Sequence, residues 1–578
     1  MRQRRRVAVV AGAALLAALT LGALPTSSPA AAGPSLRVGP LSAKPNLKVH
    51  NEILRTTLAG EDDGVLHDSG ALCQTFLGRS GNPYRPLGSN VDVIVGDRRT
   101  RTGSGTGCST AQNETPIAVN QADPRNLVAG ANDYRYFNAR EGRNDASGVA
   151  YSSFDGGRTW RNVVLPHLTY QTGATGRLRI MDSAGDPAIA FGPHNRVYYA
   201  NLVFSRLSTA SGIVVSASED GGRTWGEPNI VRLDGVDRSG GATPTSVFND
   251  KEWISVDPSS GRVYVTWTRR HYTDATQATY RTSPIVVSSS TDNGRSWSGF
   301  GTVTSNRQFQ GTHVTPYSTG SVPQVGPDGT LYVAFEASVC RTLACSSPKD
   351  HDAAVVARSV DRGRSFRYSQ VGVNYDFPIN PDTESGTLTG EVFRINSFPG
   401  FSADPTSGRL YIAWADDRNG LYDATTGKSV QTNGDVFWAS SSDGADWSPL
   451  RKVGTTQDEV FPWIGANVGK WALSFYTRGY DPFDPPANRF GTGLDTATVS
   501  AGSAALQRLT TETSDPRIQF TSVGLVTHNL LSGVFIGDYT GMAVGSDGVA
   551  HSMWTDFRGN PGTTKPNQDA VTAAVPNP

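Results

Sequence analysis

The sequence predicts an all-β repeat protein, and three observations lead to this prediction. A short turn motif, Ser-x-Asp-x-Gly-x-(Ser/Thr)-(Trp/Phe), occurs four times in full and once in a shortened form. Each copy follows a short β-branched run, as expected for a turn between two strands. The composition, with 63 Gly and 34 Pro, suits many short strands separated by turns, and no amphipathic helical stretch stands out.

The N-terminus has the features of a secretory signal peptide. Arginines precede the apolar stretch of residues 7–24, and small residues up to position 32 offer cleavage sites. We therefore predict a signal peptide over residues 1–32, an N-terminal extension over 33–111 and the repeat domain over 112–578, in a secreted, extracellular protein. The alternative is an uncleaved anchor, because the apolar stretch is long, but its alanine-rich composition favours cleavage.

An even number of cysteines in an exported chain suggests two disulfide bonds. Cys340 and Cys345 share one loop, which would leave Cys73 and Cys108 to tie the extension to the first repeat unit. The sequence does not fix this pairing. A metal site is the rival interpretation, and the lack of clustered histidines argues against it.

The turn motif resembles the Asp box, or BNR repeat, of the sialidase-like β-propellers. The resemblance implies a single β-propeller of four-stranded blades, with a box between the third and fourth strands of a blade. It also implies that the boxes lie away from the active site, so that their aspartates are structural: Asp155, Asp220, Asp292, Asp361 and Asp443. Sialidases of this family have six blades.

The repeat units in this chain favour seven blades, with six as the alternative. Each unit opens with an apolar strand and continues with a strand rich in Tyr or Trp, from about residue 112 to residue 575. The last unit has three clear strands, so its fourth position would be an exposed strand edge. A strand over residues 91–95 is the best candidate to pair there and close the ring.

Function is expected on the face opposite the boxes, where loops and strand ends carry charged residues. Acidic residues recur where the first strands begin: Glu114, Asp186, Asp250, Glu252, Asp458, Glu459 and Asp538, with Tyr539 alongside. Carboxylates that converge on one channel mouth repel one another, so we expect raised pKa values or neutralisation by Arg or a cation. The set suits glycosidic chemistry or Ca²⁺ binding, and strand capping is the plainer alternative.

We select eight candidate site residues, four from this set and four arginines. The candidate catalytic residues are Asp250, Glu252, Asp538 and Tyr539. The candidates for binding an anionic substrate leave second strands on the same predicted face: Arg135, Arg269, Arg418 and Arg558. The repeated Trp-x-Asp-x-Arg pattern around the last two has a second interpretation, in which Asp and Arg only bridge neighbouring blades.

The resemblance does not extend to the catalytic motifs. Family sialidases hold the substrate carboxylate with three arginines, the first of them in an early Phe-Arg-Ile-Pro motif, and use an Asp acid/base and a Tyr activated by Glu. The most similar string in this chain is Phe-Arg-Ile-Asn at residues 393–396, which comes late and lacks the proline.

The combined prediction is a secreted, sialidase-like propeller that acts on an extracellular glycan or glycoprotein as a glycoside hydrolase. The alternatives are a non-catalytic carbohydrate- or protein-binding propeller, or a polysaccharide lyase that uses Tyr272 with Arg269 and Arg270. Acidic and basic residues balance at 52 each, so nothing indicates a nucleic-acid partner. We also predict a monomer without a membrane contact in its mature form, with no cofactor and no metal in the site, structural Ca²⁺ being the alternative.

Overall fold

The structure of the protein is a computed structural model that describes residues 35–48, 89–94, 112–140, 143–304, 312–380, 385–391, 393–480, 493–513, 535–556 and 568–576. The predicted signal peptide, Cys73, Cys108 and Arg558 lie outside these residues. Regular structure in the described part is almost entirely antiparallel β-sheet, which confirms the all-β class. No helix among the described residues combines the length and the apolar composition needed to cross a membrane.

The strands are numbered in chain order, beginning with two short ones from the N-terminal extension: β1 (Leu36–Val38) and β2 (Val91–Asp92). The first sheet contains β3 (Gln112–Asn113), β4 (Ile117–Val119), β5 (Leu127–Ala129), β6 (Asn132–Asn138), β7 (Arg143–Ser153) and β8 (Arg161–Val164). Two 3₁₀-helices follow, Tyr170–Thr172 and Gly176–Leu178. The second sheet contains β9 (Ser183–Phe191), β10 (Val197–Phe204), β11 (Ser211–Ser218) and β12 (Asn229–Asp234).

The third sheet contains β13 (Val247–Val256), β14 (Val263–Tyr272), β15 (Tyr280–Thr282), β16 (Ile285–Ser290) and β17 (Gly301–Thr302). The fourth contains β18 (Ser318–Val325), β19 (Leu331–Val339), β20 (His351–Ser359) and β21 (Arg367–Asn374). A hairpin of β22 (Ile379–Asn380) and β23 (Ser385–Gly386) comes next.

The fifth sheet contains β24 (Gly400–Ala403), β25 (Leu410–Asp416), β28 (Asp435–Ser441) and β29 (Arg451–Val453). Between β25 and β28 the chain forms a separate hairpin of β26 (Leu421–Asp423) and β27 (Ser429–Gln431). The sixth contains β30 (Glu459–Asn467), β31 (Lys470–Thr477), β32 (Asp495–Ser500) and β33 (Ser503–Arg508). The seventh contains β34 (Gly541–Val544), β35 (Val549–Asp556) and β36 (Asp569–Pro576).

The sheets contact one another in a cycle through their first strands. Strand β4 contacts β9, and the contacts continue through β13, β18, β24, β30 and β34, which returns to β4. This succession is the arrangement of sheets in a β-propeller. Strand β2 pairs antiparallel with β36, Val91 opposite Thr572. The count of seven blades and the closure of the ring by an N-terminal strand stay predictions.

Tryptophans in the second strands lie deep between neighbouring sheets. Trp267, Trp414 and Trp554 are at most 1% exposed. A buried indole N–H needs an acceptor, and in the last two cases it is the carboxylate two residues on, with Nε1–Oδ2 distances of 3.2 Å to Asp416 and 3.0 Å to Asp556. The recurring Trp-x-Asp pattern is therefore a packing unit of the second strand.

The five predicted Asp-box turns share one hydrogen-bond pattern. In each, the serine hydroxyl donates to the aspartate two residues later, at 2.7–3.0 Å: Asp155, Asp220, Asp292, Asp361 and Asp443. In the second turn the backbone N–H groups of Arg223 and Thr224 also donate to the same carboxylate, both at 2.9 Å. These aspartates stabilise turns at the end of the sheets where the third strands finish, which we term the box end.

Replacing Asp220 with alanine should lower the free energy of unfolding by about 1 kcal/mol, because the partly exposed turn loses hydrogen bonds that water replaces in part. Urea unfolding measures this change. Ligand binding by the folded variant should equal that of the wild type. A large loss of binding with unchanged stability would contradict the structural role.

One disulfide bond joins Cys340 and Cys345, with a Cα–Cα distance of 5.1 Å. This confirms the predicted pairing within one loop. The predicted pair Cys73 and Cys108 lies outside the described residues.

Candidate functional site

Irregular backbone at the start of the first strands brings charged side chains together. The register of β9 and of β13 shifts there, as in a β-bulge. Glu114, Asp186 and Lys251 have positive φ angles of 56°, 50° and 49°. Residues other than glycine rarely adopt this conformation, and such strain is often kept at functional sites. Bulges also redirect side chains. We term this end of the sheets the acid end.

The acid end and the box end lie at opposite ends of the strands. Asp250 in β13 pairs with Thr268, whereas Val256 pairs with Val263 at the start of β14, next to the turn of Asp292. The six-residue step from Asp250 to Val256 spans about 20 Å along the strand. The structure thus separates the candidate catalytic acids from the box aspartates.

Lys251 is the centre of the acid end. Its Nζ lies 2.9 Å from Oε1 of Glu114, 3.1 Å from Oδ2 of Asp186 and 2.7 Å from Oδ2 of Asp538. The lysine side chain is only 9% exposed. Burial disfavours its charged form, but the three carboxylates outweigh this effect and raise the pKa of Lys251 well above its usual value. Lys251 is therefore a cation that joins its own sheet, the third, to acids of the first, second and seventh sheets.

Asp538 has a second cation. Arg394 binds it through two hydrogen bonds, from Nε to Oδ1 at 2.9 Å and from Nη2 to Oδ2 at 2.6 Å. The amide of Asn396 donates to Oδ1 at 3.1 Å. Burial alone would raise the pKa of Asp538, yet Arg394 and Lys251 hold it below its usual range. Asp538 is accordingly an ionised carboxylate.

Asp250 is ionised for the same reason. Arg270 donates to its Oδ2 from Nε at 2.7 Å, and both residues are at most 4% exposed. Burial opposes the charge, but Arg270 and Lys251 outweigh it and lower the pKa of Asp250.

The pKa of Glu252, two residues further along β13, shifts in the opposite direction. It is 2% exposed, and neither carboxyl oxygen has a hydrogen-bond partner within the described residues. Burial first, and repulsion by Asp186 second, raise the pKa of Glu252 well above its usual value. Both effects favour the protonated form of this acid.

An aromatic cluster borders Glu252. The rings of Trp253 and Trp463 are 4.5 Å apart, and the ring of Tyr539 is 5.2 Å from Trp253. These residues and Glu252 line a cavity of about 20 Å³, which is room for one water molecule. The Tyr539 hydroxyl donates to the carbonyl of Pro187 at 2.9 Å, and burial raises its pKa.

Glu252→Gln should change how stability depends on pH. The pKa of Glu252 is higher in the folded than in the unfolded protein, where it is about 4.5. The protein therefore loses stability as the pH rises from the unfolded pKa towards the folded pKa. The glutamine variant lacks this loss, so its free energy of unfolding should improve relative to wild type from pH 4.5 to pH 8. Urea unfolding across that range measures the difference. Parallel pH curves would show that Glu252 is not a buried neutral acid.

Three of the four candidate substrate-binding arginines lie in the described residues, and each has an aspartate partner there. Arg135 contacts Asp133 at 2.6 Å and is buried. Arg418 contacts Asp416 at 2.5 Å with 23% of its side chain exposed. Arg269 binds Asp234 at 2.7 Å. Only the pair of Arg269 joins two sheets, since Asp234 ends β12 and Arg269 lies in β14. A role in substrate binding stays a prediction for these three and for Arg558.

Two further acids from the predicted set lie apart from Lys251. Asp458 pairs with Arg478 at 2.8 Å, and Glu459 accepts hydrogen bonds from Thr455 and Thr477. Burial raises the pKa of Glu459 to about 7. No group of three or more His, Cys, Asp or Glu side chains within the described ranges has the geometry to hold a metal ion.

Sequence reasoning missed Lys251 and Arg394 as parts of the site. Lys251 stands between two acids already selected, and the Phe-Arg-Ile-Asn string drew attention to Arg394 only as an incomplete motif. The structure places Arg394 on Asp538, 144 residues later in the chain. The repeat pattern could have indicated Lys251, because Lys251 stands in the third sheet where Asp186 stands in the second.

The chain matches no known protein family, and no curated protein matches it. Similar solved structures include a Hadza microbial sialidase, Hz136, with 13% identity over 75% of this chain and 73% of that one and a TM-score of 0.39. The NanB sialidase of Streptococcus pneumoniae has 10% identity over 78% and 83%, with a TM-score of 0.38. The α-L-arabinofuranosidase Arb93A of Fusarium graminearum has 14% identity over 71% and 97%, with a TM-score of 0.36. Similarity at this level assigns neither an activity nor a residue to this chain.

Proposed function

We propose that the protein is a secreted, sialidase-like propeller that hydrolyses extracellular glycans at its acid end. The observation that carries this proposal is a pair of buried carboxyl groups two residues apart on β13. Arg270 binds Asp250 at 2.5 Å, whereas the carboxyl oxygens of Glu252 have no hydrogen-bond partner among the described residues, so the pKa values of the two acids shift in opposite directions. Glycoside hydrolysis uses such a pair, one to protonate the leaving oxygen and one to act as base or nucleophile.

In this proposal Glu252 is the general acid and Asp250 or Asp538 supplies the negative charge for the oxocarbenium-like transition state. Lys251 and Arg394 keep Asp538 ionised, and Arg270 does so for Asp250. Tyr539 remains a neutral phenol, since its pKa is raised, and serves as a hydrogen-bond donor. The ion pairs with aspartate limit Arg135, Arg269 and Arg418: each could bind an anionic sugar only by giving up its aspartate.

A non-catalytic glycan- or protein-binding propeller is the second candidate, favoured by one observation. The cavity beside Glu252 has room for a water molecule and not for a sugar ring. In that case the acid end would hold the sheets together, and recognition would take place elsewhere.

Incubation with sialylated, arabinofuranosyl and neutral oligosaccharides, followed by product analysis, tests the two candidates. The wild type should release a sugar, and Glu252→Gln should reduce kcat by about 10²–10⁴-fold while binding persists. Asp220→Ala at the box end is the matched control and should keep full activity. Saturable binding without products would favour the second candidate, and the lack of both would reject the two together.

Secretion belongs to the same proposal. The charged and apolar N-terminus supports it, and the Cys340–Cys345 disulfide suits an oxidising compartment. N-terminal sequencing of exported protein should find the new terminus near residue 33. We also propose that the seven sheets are seven blades and that β2 closes the ring, supported by the cyclic contacts of the first strands and by the pairing of β2 with β36.

A further inference from the structure

A pocket lies at the box end, between the second and third sheets. It runs from the Asp-box turn of Asp220, along the segment that leads to β12, to the Asp-box turn of Asp292. Its lining includes Glu219, Trp225, Gly226, Glu227, Asn229 and Arg295. The volume is about 410 Å³, within the usual range of small-molecule sites. We term it the Trp225 pocket.

The tryptophan of the second Asp-box turn is not bound to its own turn, unlike that of the third. In the third turn the indole N–H of Trp297 donates to the carbonyl of Gly294 at 3.1 Å. In the second turn the equivalent carbonyl, of Gly222, accepts from the Ser152 hydroxyl at 2.8 Å. Nε1 of Trp225 has no hydrogen-bond partner within the described residues. The position of this ring thus costs a hydrogen bond that the third turn keeps.

The Trp225 ring lies between the core and the pocket. It stands edge-on to the buried ring of Tyr199, with the ring centroids 5.8 Å apart, and packs against the buried cluster that contains Tyr199. Trp225 is only half-buried there, and it also lines the pocket. An aromatic side chain held by a rigid core loses little conformational freedom when a ligand packs on it. Trp225 is therefore a preformed apolar wall.

The charged groups at the pocket balance one another. Nε of Arg196 donates to Oε2 of Glu219 at 2.9 Å, and the nearby Arg295 adds to the lowering of the Glu219 pKa. Oε1 of Glu227 lies 2.7 Å from Nδ1 of His167. With His167 neutral, the two carboxylates and the two guanidinium groups carry no net charge. Carboxylates accept hydrogen bonds and guanidinium groups donate them, and a sugar hydroxyl can do both.

We propose that the Trp225 pocket is a second ligand site and that it takes a neutral sugar with equatorial hydroxyl groups. Such a pyranose ring has an apolar face, which packs on Trp225, and a rim of hydroxyls, which bind Glu227, Asn229 and Arg295. A charged sugar fits less well, because the charges of the pocket are already balanced. The site is separate from Glu252, which lies at the acid end, and does not depend on the proposed hydrolysis.

Calorimetric titration of the mature protein with cellohexaose tests the proposal. The β-1,4-linked hexamer of glucuronic acid is the matched ligand, with the same ring and linkage and a carboxylate on each ring. Cellohexaose should bind at least about tenfold more tightly, because the carboxylates of the other hexamer face Glu219 and Glu227. Trp225→Ala should weaken cellohexaose binding by at least about tenfold, the usual effect of removing a central aromatic contact.

A second variant guards against misfolding of Trp225→Ala. Gly226 is exposed on the pocket wall, and a Cβ added to it would contact only the carbonyl oxygen of Ala217, at 3.5 Å. Gly226→Trp should therefore fill the pocket without disturbing the core and should abolish binding. Gly299→Trp is the matched control, since Gly299 is exposed outside the pocket and a Cβ there would meet nothing within 4 Å. It should leave the affinity within about twofold of the wild type.

Glu252→Gln should retain cellohexaose binding, which separates this site from the proposed catalytic one. Equal or tighter binding of the glucuronic acid hexamer would overturn the proposal. Unchanged binding by Trp225→Ala or by Gly226→Trp, or the lack of saturable cellohexaose binding, would also overturn it.

Discussion

Replacing Lys251 with methionine should lower the free energy of unfolding by about 3–5 kcal/mol, because removal of one partner leaves buried charges without compensation. Glu114, Asp186 and Asp538 all lie within 3.1 Å of its Nζ. Asp538 would keep Arg394, but the other two have no arginine or second lysine among their described ion-pair partners. Urea unfolding at pH 7.5 is the measurement.

The control is Arg125→Met, at an ion pair with Asp123 in which both side chains are exposed, at 73% and 43%. Surface pairs contribute about 0–1 kcal/mol, so this change should be small. The deficit of Lys251→Met should also shrink as pH falls. Glu114 and Asp186 have raised pKa values in the folded state, so their protonation favours folding, and the variant lacks the cation that offsets their charge. A deficit below 1 kcal/mol at pH 7.5, or one that grows in acid, would contradict this role.

Most of the fold follows from repeated local patterns. The turns around Asp155 and Asp220 have a fixed chemistry of serine, aspartate and glycine, and each predicts its own hairpin without tertiary information. The strands that flank them are short apolar runs, so their number and order could be read from the sequence. The partner of β2 lies at the other end of the chain, where Val91 pairs with Thr572. No local pattern indicates this pairing, and it was predicted only from the missing fourth strand of the last repeat unit.

The site was predictable only in outline. Acids at the starts of first strands indicated the acid end, since the repeat places those starts together. Whether an acid is ionised depends on whether a cation lies beside it in the folded protein. Glu252 and Asp250 are two residues apart and have opposite pKa shifts because only Asp250 has Arg270 beside it. A sequence pattern does not contain that information.

Removal of residues 1–107 should leave the protein unfolded or aggregated, because the N-terminal extension connects the last sheet to its neighbours. The N–H of Val93 donates to the carbonyl of Ala570 in β36, and its carbonyl accepts from the Asn162 amide in the first sheet at 2.8 Å. The amide of Asn90 donates to the carbonyl of Leu509 beside the sixth sheet at 2.8 Å. Without these contacts β36 has an open edge, which is a template for association with other chains.

The burial of Val93 and Ile94 indicates how much stability the removal of residues 1–107 would cost. Val93 and Ile94 are 0% and 4% exposed, and burial of two such residues stabilises a fold by about 3–6 kcal/mol. Val93→Ala isolates part of this contribution and should cost about 1–3 kcal/mol in urea unfolding. Val38→Ala is its matched control, a valine of the same extension that is 63% exposed, and should change stability by less than about 0.5 kcal/mol. A soluble monomer without residues 1–107 that melts at the wild-type temperature would show that the extension is dispensable and that β2 does not close the ring.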